Sequence, residues 1–327
     1  MGYVAGELIK DDEYNTFVAS SSDPFGYNHF AGTGSGQYGL GQTELAQVAA
    51  GASNQVKAAS WNSLLAGIDN IANHTNDSMT ARGQVTAGDP IKIKSAVAAD
   101  LATLAASVAG GCTSATALTE SSELRSAAAS ARFSATHIVE HSVTFANGNN
   151  LRFFFNAGGK IRIKLTRTGN GGSAKTSKDD SVDELITALG NFDIGAQAST
   201  RSGSGETLET DGLANGVDDF GTSYTTIAVI RQSSGTYTTM DLKIEGKVDN
   251  ATYGSAVKVT VKCSVIDADS GDSQFTDGNT SGVDQFANFI GVTDWGLFTV
   301  NPTTAQGLDP VYDISASAIE SNNVANG

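Results

Sequence analysis

The chain has 327 residues and a formal net charge of −15, with charged residues at only 17%, against about a quarter in an ordinary soluble domain. That length allows two domains of ordinary size or one large β-domain with an appendage, and the acidic balance repels a phosphate backbone unless basic residues are segregated. Small polar residues and 37 glycines take the place of the missing charges, a balance common in extracellular and particle-forming proteins and uncommon in cytosolic enzymes.

Residues 1–115 read as a helical N-terminal attachment or assembly region. Three segments in it share a weak internal similarity: AGELIKDDEYNTFVAS (5–20), ASNQVKAASWNSLLAGI (52–68) and AGDPIKIKSAVAADLATLAAS (87–107). Each runs from a small and a polar residue through Ile-Lys or Val-Lys into an apolar periodic stretch, which predicts a short extended entry followed by a helix. In the second copy Trp61, Leu64, Leu65, Ile68 and Ile71 form the apolar stripe. Between the first two helices, residues 21–43 form a long loop rich in glycine and aromatic residues.

From about residue 130 the pattern changes to strands, and residues 130–314 read as an antiparallel β-sandwich domain of jelly-roll-like type, so that the fold class is α+β. The strands are HIVEHSVTF (137–145), SYTTIAVIR (223–231), MDLKIEGKV (240–248) and AVKVTVKCSVIDAD (256–269). In the last, Val257, Val259, Val261, Cys263 and Val265 alternate with polar residues, the mark of a half-buried antiparallel strand. LRFFFNAGGKIRIKL (151–165) reads as a hairpin, with Asn156, Gly158 and Gly159 in the turn and Ile161, Ile163 and Leu165 facing the core. A short helix falls near 182–190, 169–180 and 199–222 read as connections, and 315–327 as a flexible or partner-ordered tail.

Several patterns invite a chemical reading. GSGQYG (34–39) fits the dinucleotide fingerprint, but no apolar strand precedes it, so a glycine-rich surface loop is expected and no cofactor. HIVEH (137–141) fits the inverted zincin pattern. In a helix two such histidines lie about 6 Å apart at Cβ and can share zinc; the β-branched context here predicts a strand, where they lie about 13 Å apart and cannot. DADSGD (267–272) places Asp267, Asp269 and Asp272 at a strand end, a weak calcium candidate without the glycine and glutamate positions of an EF-hand loop. Cys112 and Cys263 fit no ligand spacing and read as two buried free thiols.

The chain opens with no cationic segment leading into an apolar core, and no apolar run reaches about eighteen residues. A soluble chain without the usual secretion signal, and without membrane insertion, is therefore the expectation. The basic cluster Arg152, Lys160, Arg162, Lys164 and Arg167 reads as a solvated or subunit-contacting sheet face, with nucleic acid a poor second. Arg152, Phe154, Lys160, Arg162 and Lys164 are the interface candidates; for Phe154, packing beneath a loop of its own subunit is the equal alternative.

The run VTFANGNNLRFFFNAGGKIRIKLTRTGNGGS resembles a segment of virion structural proteins of tailed phages, notably those infecting marine cyanobacteria, in which an Arg-(Tyr/Phe)-Phe-Phe-Asn-(Ser/Ala)-Gly-Gly-x-Ile-Arg hairpin opens the β-region. SYTTIAVIRQSSGTYTTMDLKIEGKV, AVKVTVKCSVIDAD, the loop YGLGQT and QVKAASWNSLLAGIDNIANHT are similar to further segments, colinear over most of positions 5–269. The loop departs from the family's Gly-Tyr-Gly-Gln, and no likeness extends past Asp272.

The resemblance implies an oligomeric neck- or tail-associated virion protein, assembled in the host cytoplasm and contacting copies of itself and other virion proteins. Alternatives are a capsid decoration or vertex protein and a module binding host-surface glycans, with a virion hydrolase last. It supplies no catalytic residue, and no enzymatic role is expected.

Overall fold

A computed structural model of the chain describes residues 11–19, 26–49, 56–87, 94–116, 118–121, 125–129, 136–168, 177–233, 238–267, 292–302, 308 and 318–326. These form two compact units interleaved in sequence. The first comprises Met1–Thr119, Asn147–Gly159 and Asn301–Ser315, and the second Glu120–Ala146, Lys160–Val300 and Ala316–Gly327.

The first unit is helical: α1 (Asp11–Val18), α2 (Tyr27–Phe30), α3 (Ala58–Thr75), α4 (Lys94–Ala109) and α5 (Gly148–Asn156). The three helices expected from the internal similarity are α1, α3 and α4, and α1 and α3 start directly after the Ile-Lys or Val-Lys pair. The stripe Trp61, Leu64, Leu65, Ile68 and Ile71 of α3 is buried in one cluster with Phe17, Tyr27, Phe30, Leu101, Leu104 and Leu308. Phe17 meets Trp61 at 6.1 Å between ring centroids, and α3 ends at Asn76, whose φ of 60° is the left-handed conformation that asparagine tolerates.

Helix α5 overturns the expected hairpin. The Asn147 side chain accepts from the Asn150 backbone N–H at 2.9 Å and caps the first turn, and the helix then carries all three phenylalanines at 0% exposure. It closes on Gly158, at φ +87°: Gly158 N–H donates to Phe155 O and Gly159 N–H to Phe154 O, both at 2.9 Å. The NAGG break is therefore a helix C-cap, and only the following KIRIK is a strand.

The second unit holds two antiparallel sheets. The strands are β1 (Leu118–Glu120), β2 (Arg125–Ala129), β3 (Thr136–Thr144), β4 (Lys160–Thr168), β5 (Asn191–Ile194), β6 (Ser199–Arg201), β7 (Thr207–Asp211), β8 (Thr225–Arg231), β9 (Met240–Val248), β10 (Lys258–Asp267), β11 (Val292–Pro302) and β12 (Ala318–Asn326). One sheet has the order β1-β11-β4-β5-β6 with β2 also on β11, and the other β12-β3-β10-β9-β8-β7.

Alternation decides which face each strand buries. Val259, Val261, Cys263 and Val265 of β10 are buried with Leu242 and Ile244 of β9, and Ile161, Ile163 and Leu165 of β4 with Phe192 and Leu297. Helix α6 (Ser177–Leu189) packs against β4 of the first sheet and β8 and β9 of the second. Residues 199–222, expected as a plain connection, contain β6, β7 and a short 3-10 turn at Val217–Asp219, and the expected tail contains β12, which pairs antiparallel with β3.

Candidate functional site

The residues of the most specific motif meet the glycine-rich loop inside the first unit. Arg152 and Asn156, one turn apart on α5, face that loop: Arg152 donates to the backbone carbonyls of Thr33 and Tyr38. The Asn156 amide donates to Gly39 O at 3.1 Å and Gly36 O at 3.3 Å. One residue further on, Ala157 O accepts from His74 Nε2 at 2.8 Å. Burial lowers the His74 pKa more than this bond raises it, so the ring is the neutral Nε2–H tautomer. Arg152 is 3% exposed and Phe154 0%, so neither presents an outward contact face: the Arg152 expectation is corrected to an interior loop clamp, and of the two alternatives for Phe154 the burial fits packing within its own subunit. The GSGQYG loop has its tip, residues 35–37, exposed and its base tied to α5.

Lys160, Arg162 and Lys164 do lie half-exposed on one face of β4. They are paired within the chain. Arg162 donates bidentately to Asp193, directly opposite it on β5, at 2.6 and 2.7 Å, and also to Glu120. Lys164 bridges to Glu120 at 2.6 Å and stands 4.4 Å over the Phe298 ring; Lys160 lies 3.9 Å from Asp193. Lys164 and then Arg162 hold the Glu120 carboxyl below its usual range against a burial effect that raises it. The expected basic stripe is thus a fixed mosaic of both signs, a geometry that presents complementary charge without first having to order it.

The outer face of the second sheet carries a comparable mosaic that sequence inspection does not single out. Lys262 of β10 stands opposite Glu140 of β3 on one side and Glu245 of β9 on the other. Glu245 accepts from Lys243 at 2.8 Å and Lys262 at 2.6 Å; burial raises its carboxyl pKa, but the two ammoniums outweigh this and leave it lowered. Tyr224 donates to Glu140 at 2.7 Å, and the ammoniums of Lys247 and Lys262 each lie 4.2 Å from its ring centroid. Burial and the Glu140 bond push the Tyr224 hydroxyl pKa well up, so it stays a donor. An open groove of about 350 Å³ beside this cluster is lined by Glu140, Thr222, Lys247, Val248, Asp249, Lys258 and Thr260. Only pairing register brings these residues together, and no local motif marks register.

His137 and His141 lie on the buried face of β3, in a strand as their β-branched neighbours require, each at 0% exposure. Asp269 and Asp272 lie outside the described residues, and Asp267 ends β10. Among the described residues no group of three metal-ligating side chains is assembled. Cys112 and Cys263 are both buried free thiols, and burial pushes both pKa values well up. In the 3-10 turn, burial pushes the Asp218 carboxyl up to about 6; its bond to Tyr253 opposes the shift and Asp219 adds to it. Among the described residues no helix is long and apolar enough to cross a membrane.

The fold is thus a mixed helix-and-strand protein with two antiparallel sheets, whose charged outer faces are its candidate functional surfaces. Comparison with protein-family models, with curated proteins and with solved structures found no match in any of the three.

Proposed function

We propose that the chain is a structural component of a tailed-phage virion: an oligomeric, neck- or tail-associated protein, without catalysis of its own, that contacts copies of itself and other virion proteins. The observation that supports this reading is the union of the two segments carrying the resemblance. The YGLGQ loop and the RFFFNAGG helix, 114 residues apart at the Tyr38–Arg152 bond, are held together by hydrogen bonds that are part-buried from Arg152 and buried from Asn156 to Gly39. The likeness therefore attaches to one physical unit in which Arg152, the three phenylalanines, Asn156 and both glycines each have a defined task.

In this reading the contact surfaces are the outer sheet faces, with Lys160, Arg162 and Lys164 on the first. In this reading the two sheets also pack as a sandwich, for which α6, touching strands of both, is the support. The consecutive run β7-β8-β9-β10 favours an up-and-down connectivity over a jelly-roll-like one.

Light scattering on the purified protein, with and without chelator, tests the assembly. A discrete multiple of the 33.5 kDa chain mass that ignores chelator is expected. A monomer at every concentration overturns the proposal.

A further inference from the structure

We propose that the turn Val217–Asp219 and the segment 249–257 that links β9 to β10 form a pH-sensitive latch, closed while Asp218 is protonated and loosened when it ionises. The closed form is held at several points. Val217 and Asp218 donate their backbone N–H groups to Gly195 O and Ala196 O at 3.0 and 2.9 Å, and Val248 N–H, at the end of β9, donates to Gly221 O at 3.0 Å. The Phe220 ring lies on Gly246, where a Cβ would come within 2.4 Å of it. The Asp218 side chain reaches across to hydrogen-bond Tyr253. Val217, Phe220, Val248 and Ala256 are all buried in this arrangement.

One oxygen of the same carboxyl supplies the instability. Asp218 Oδ1 is buried and has no hydrogen-bond partner among the described residues. It borders a cleft of about 170 Å³, walled by the apolar Val217, Phe220, Val248 and Ala256, that is too narrow to admit water. The neutral acid tolerates such a place, whereas an unsolvated anion does not. Among the described residues no cation faces it. Asp219 beside it is acidic, Tyr253 is a neutral donor, and Asp249 accepts from the backbone N–H groups of Val257 and Lys258. From β9, Asp241, Lys243, Glu245 and Lys247 point to the outer face of the sheet, where they engage Arg231, each other, Lys262 and Tyr224. Residues 195–198, Gly-Ala-Gln-Ala, carry no titratable side chain. Ionisation therefore favours parting the two turns, which lets water reach the carboxylate and uncovers Phe220 and Val248.

Amide hydrogen exchange of the full chain between about pH 5 and 7.5, expressed as protection so that the intrinsic pH dependence drops out, tests the latch. At the upper pH the amides of Val217, Asp218 and Val248 are expected to be less protected than those of Val261 and Cys263 in β10. On going to the lower pH they should gain about five- to tenfold in protection, the change that a folded value of about 6 against the ordinary 3.8 gives over this range after solvent screening. Asp218→Asn should abolish the gain. Tyr253→Phe, which removes a bond that favours the anion, should move the midpoint to higher pH. Three results would each overturn the inference: equal protection of the turn and β10 amides at the upper pH, so that the turn opens only with the whole sheet; protection of the turn independent of pH; or the same pH dependence in Asp218→Asn. Exchange is read within one chain whatever its assembly, so failure here and failure of the virion reading are distinguishable.

Discussion

The Arg152 guanidinium donates to the Tyr38 carbonyl, joining α5 to a loop 114 residues earlier in the chain. With a second bond to Thr33 O, it satisfies backbone acceptors that no regular structure serves. Arg152→Met keeps the bulk and removes every donor, and is expected to cost about 3 kcal/mol by leaving partly buried carbonyls unpaired. Urea unfolding measures the loss, and limited proteolysis should cut the variant within residues 33–39. An unchanged urea midpoint would remove the clamp from the account.

Gly158 sits at φ +87°, and a Cβ there would lie 3.0 Å from Cys112 O. Gly158→Ala is expected to destabilise by about 1 to 2 kcal/mol through the left-handed conformation alone. Gly159→Ala should cost more, because its Cβ would meet Phe154 O at 2.4 Å and the Phe154 ring at 2.8 Å. Thermal unfolding of the two variants checks both the sign and the order.

The ion pairs on β4 are unequal in worth. Asp193 is 7% exposed, so Arg162→Met leaves a largely buried carboxylate with the more distant Lys160, at 3.9 Å, as its remaining ion-pair partner among the described residues, and should cost about 2 kcal/mol. The Glu120 side chain is 31% exposed, and Glu120→Gln should cost no more than about 0.5 kcal/mol. Equal losses for the two variants in denaturant unfolding would contradict this ranking.

Asp218 makes stability depend on pH in a defined direction. Its folded pKa of about 6 lies above the ordinary 3.8, so between these values the unfolded chain gives up its proton first. Stability contributed below the lower value is lost as pH rises through the folded one. Asp218→Asn, which keeps an acceptor for Tyr253, is expected to stabilise by about 1 to 2 kcal/mol at neutral pH, after allowance for solvent screening, and to have little effect near pH 4. His74 acts oppositely: its pKa is lowered, so its contribution is present above about 6.5 and lost as pH falls. Melting temperatures across pH for wild type and both single variants (Asp218→Asn and His74→Gln) separate the two effects.

Legibility in the sequence followed how local the determining interaction was. The alternation of Val259, Val261, Cys263 and Val265 locates β10, and the stripe Trp61 to Ile71 locates α3, because each period is visible within one element. In α5 the polar Asn149, Arg152 and Asn156 do fall at helical spacing, but the run of three consecutive phenylalanines between them reads equally as a strand. The local signal for the helix is Asn147, an N-cap four residues before Leu151. The charge mosaics were out of reach for another reason: Asp193 is 31 residues from Arg162 and Glu120 is 42, so only sheet register reveals that these acids neutralise the basic stripe. Tyr224 and Glu140, 84 residues apart, are likewise joined only by the fold.

The most direct test of the virion reading is quantitative mass spectrometry of particles gradient-purified from a lysate of cells that produce the chain. The account predicts the intact chain in the particle fraction, at a fixed copy number that is a whole multiple of a tail or neck symmetry. Its presence only in the soluble fraction of the lysate, with none in the particles, would contradict the account.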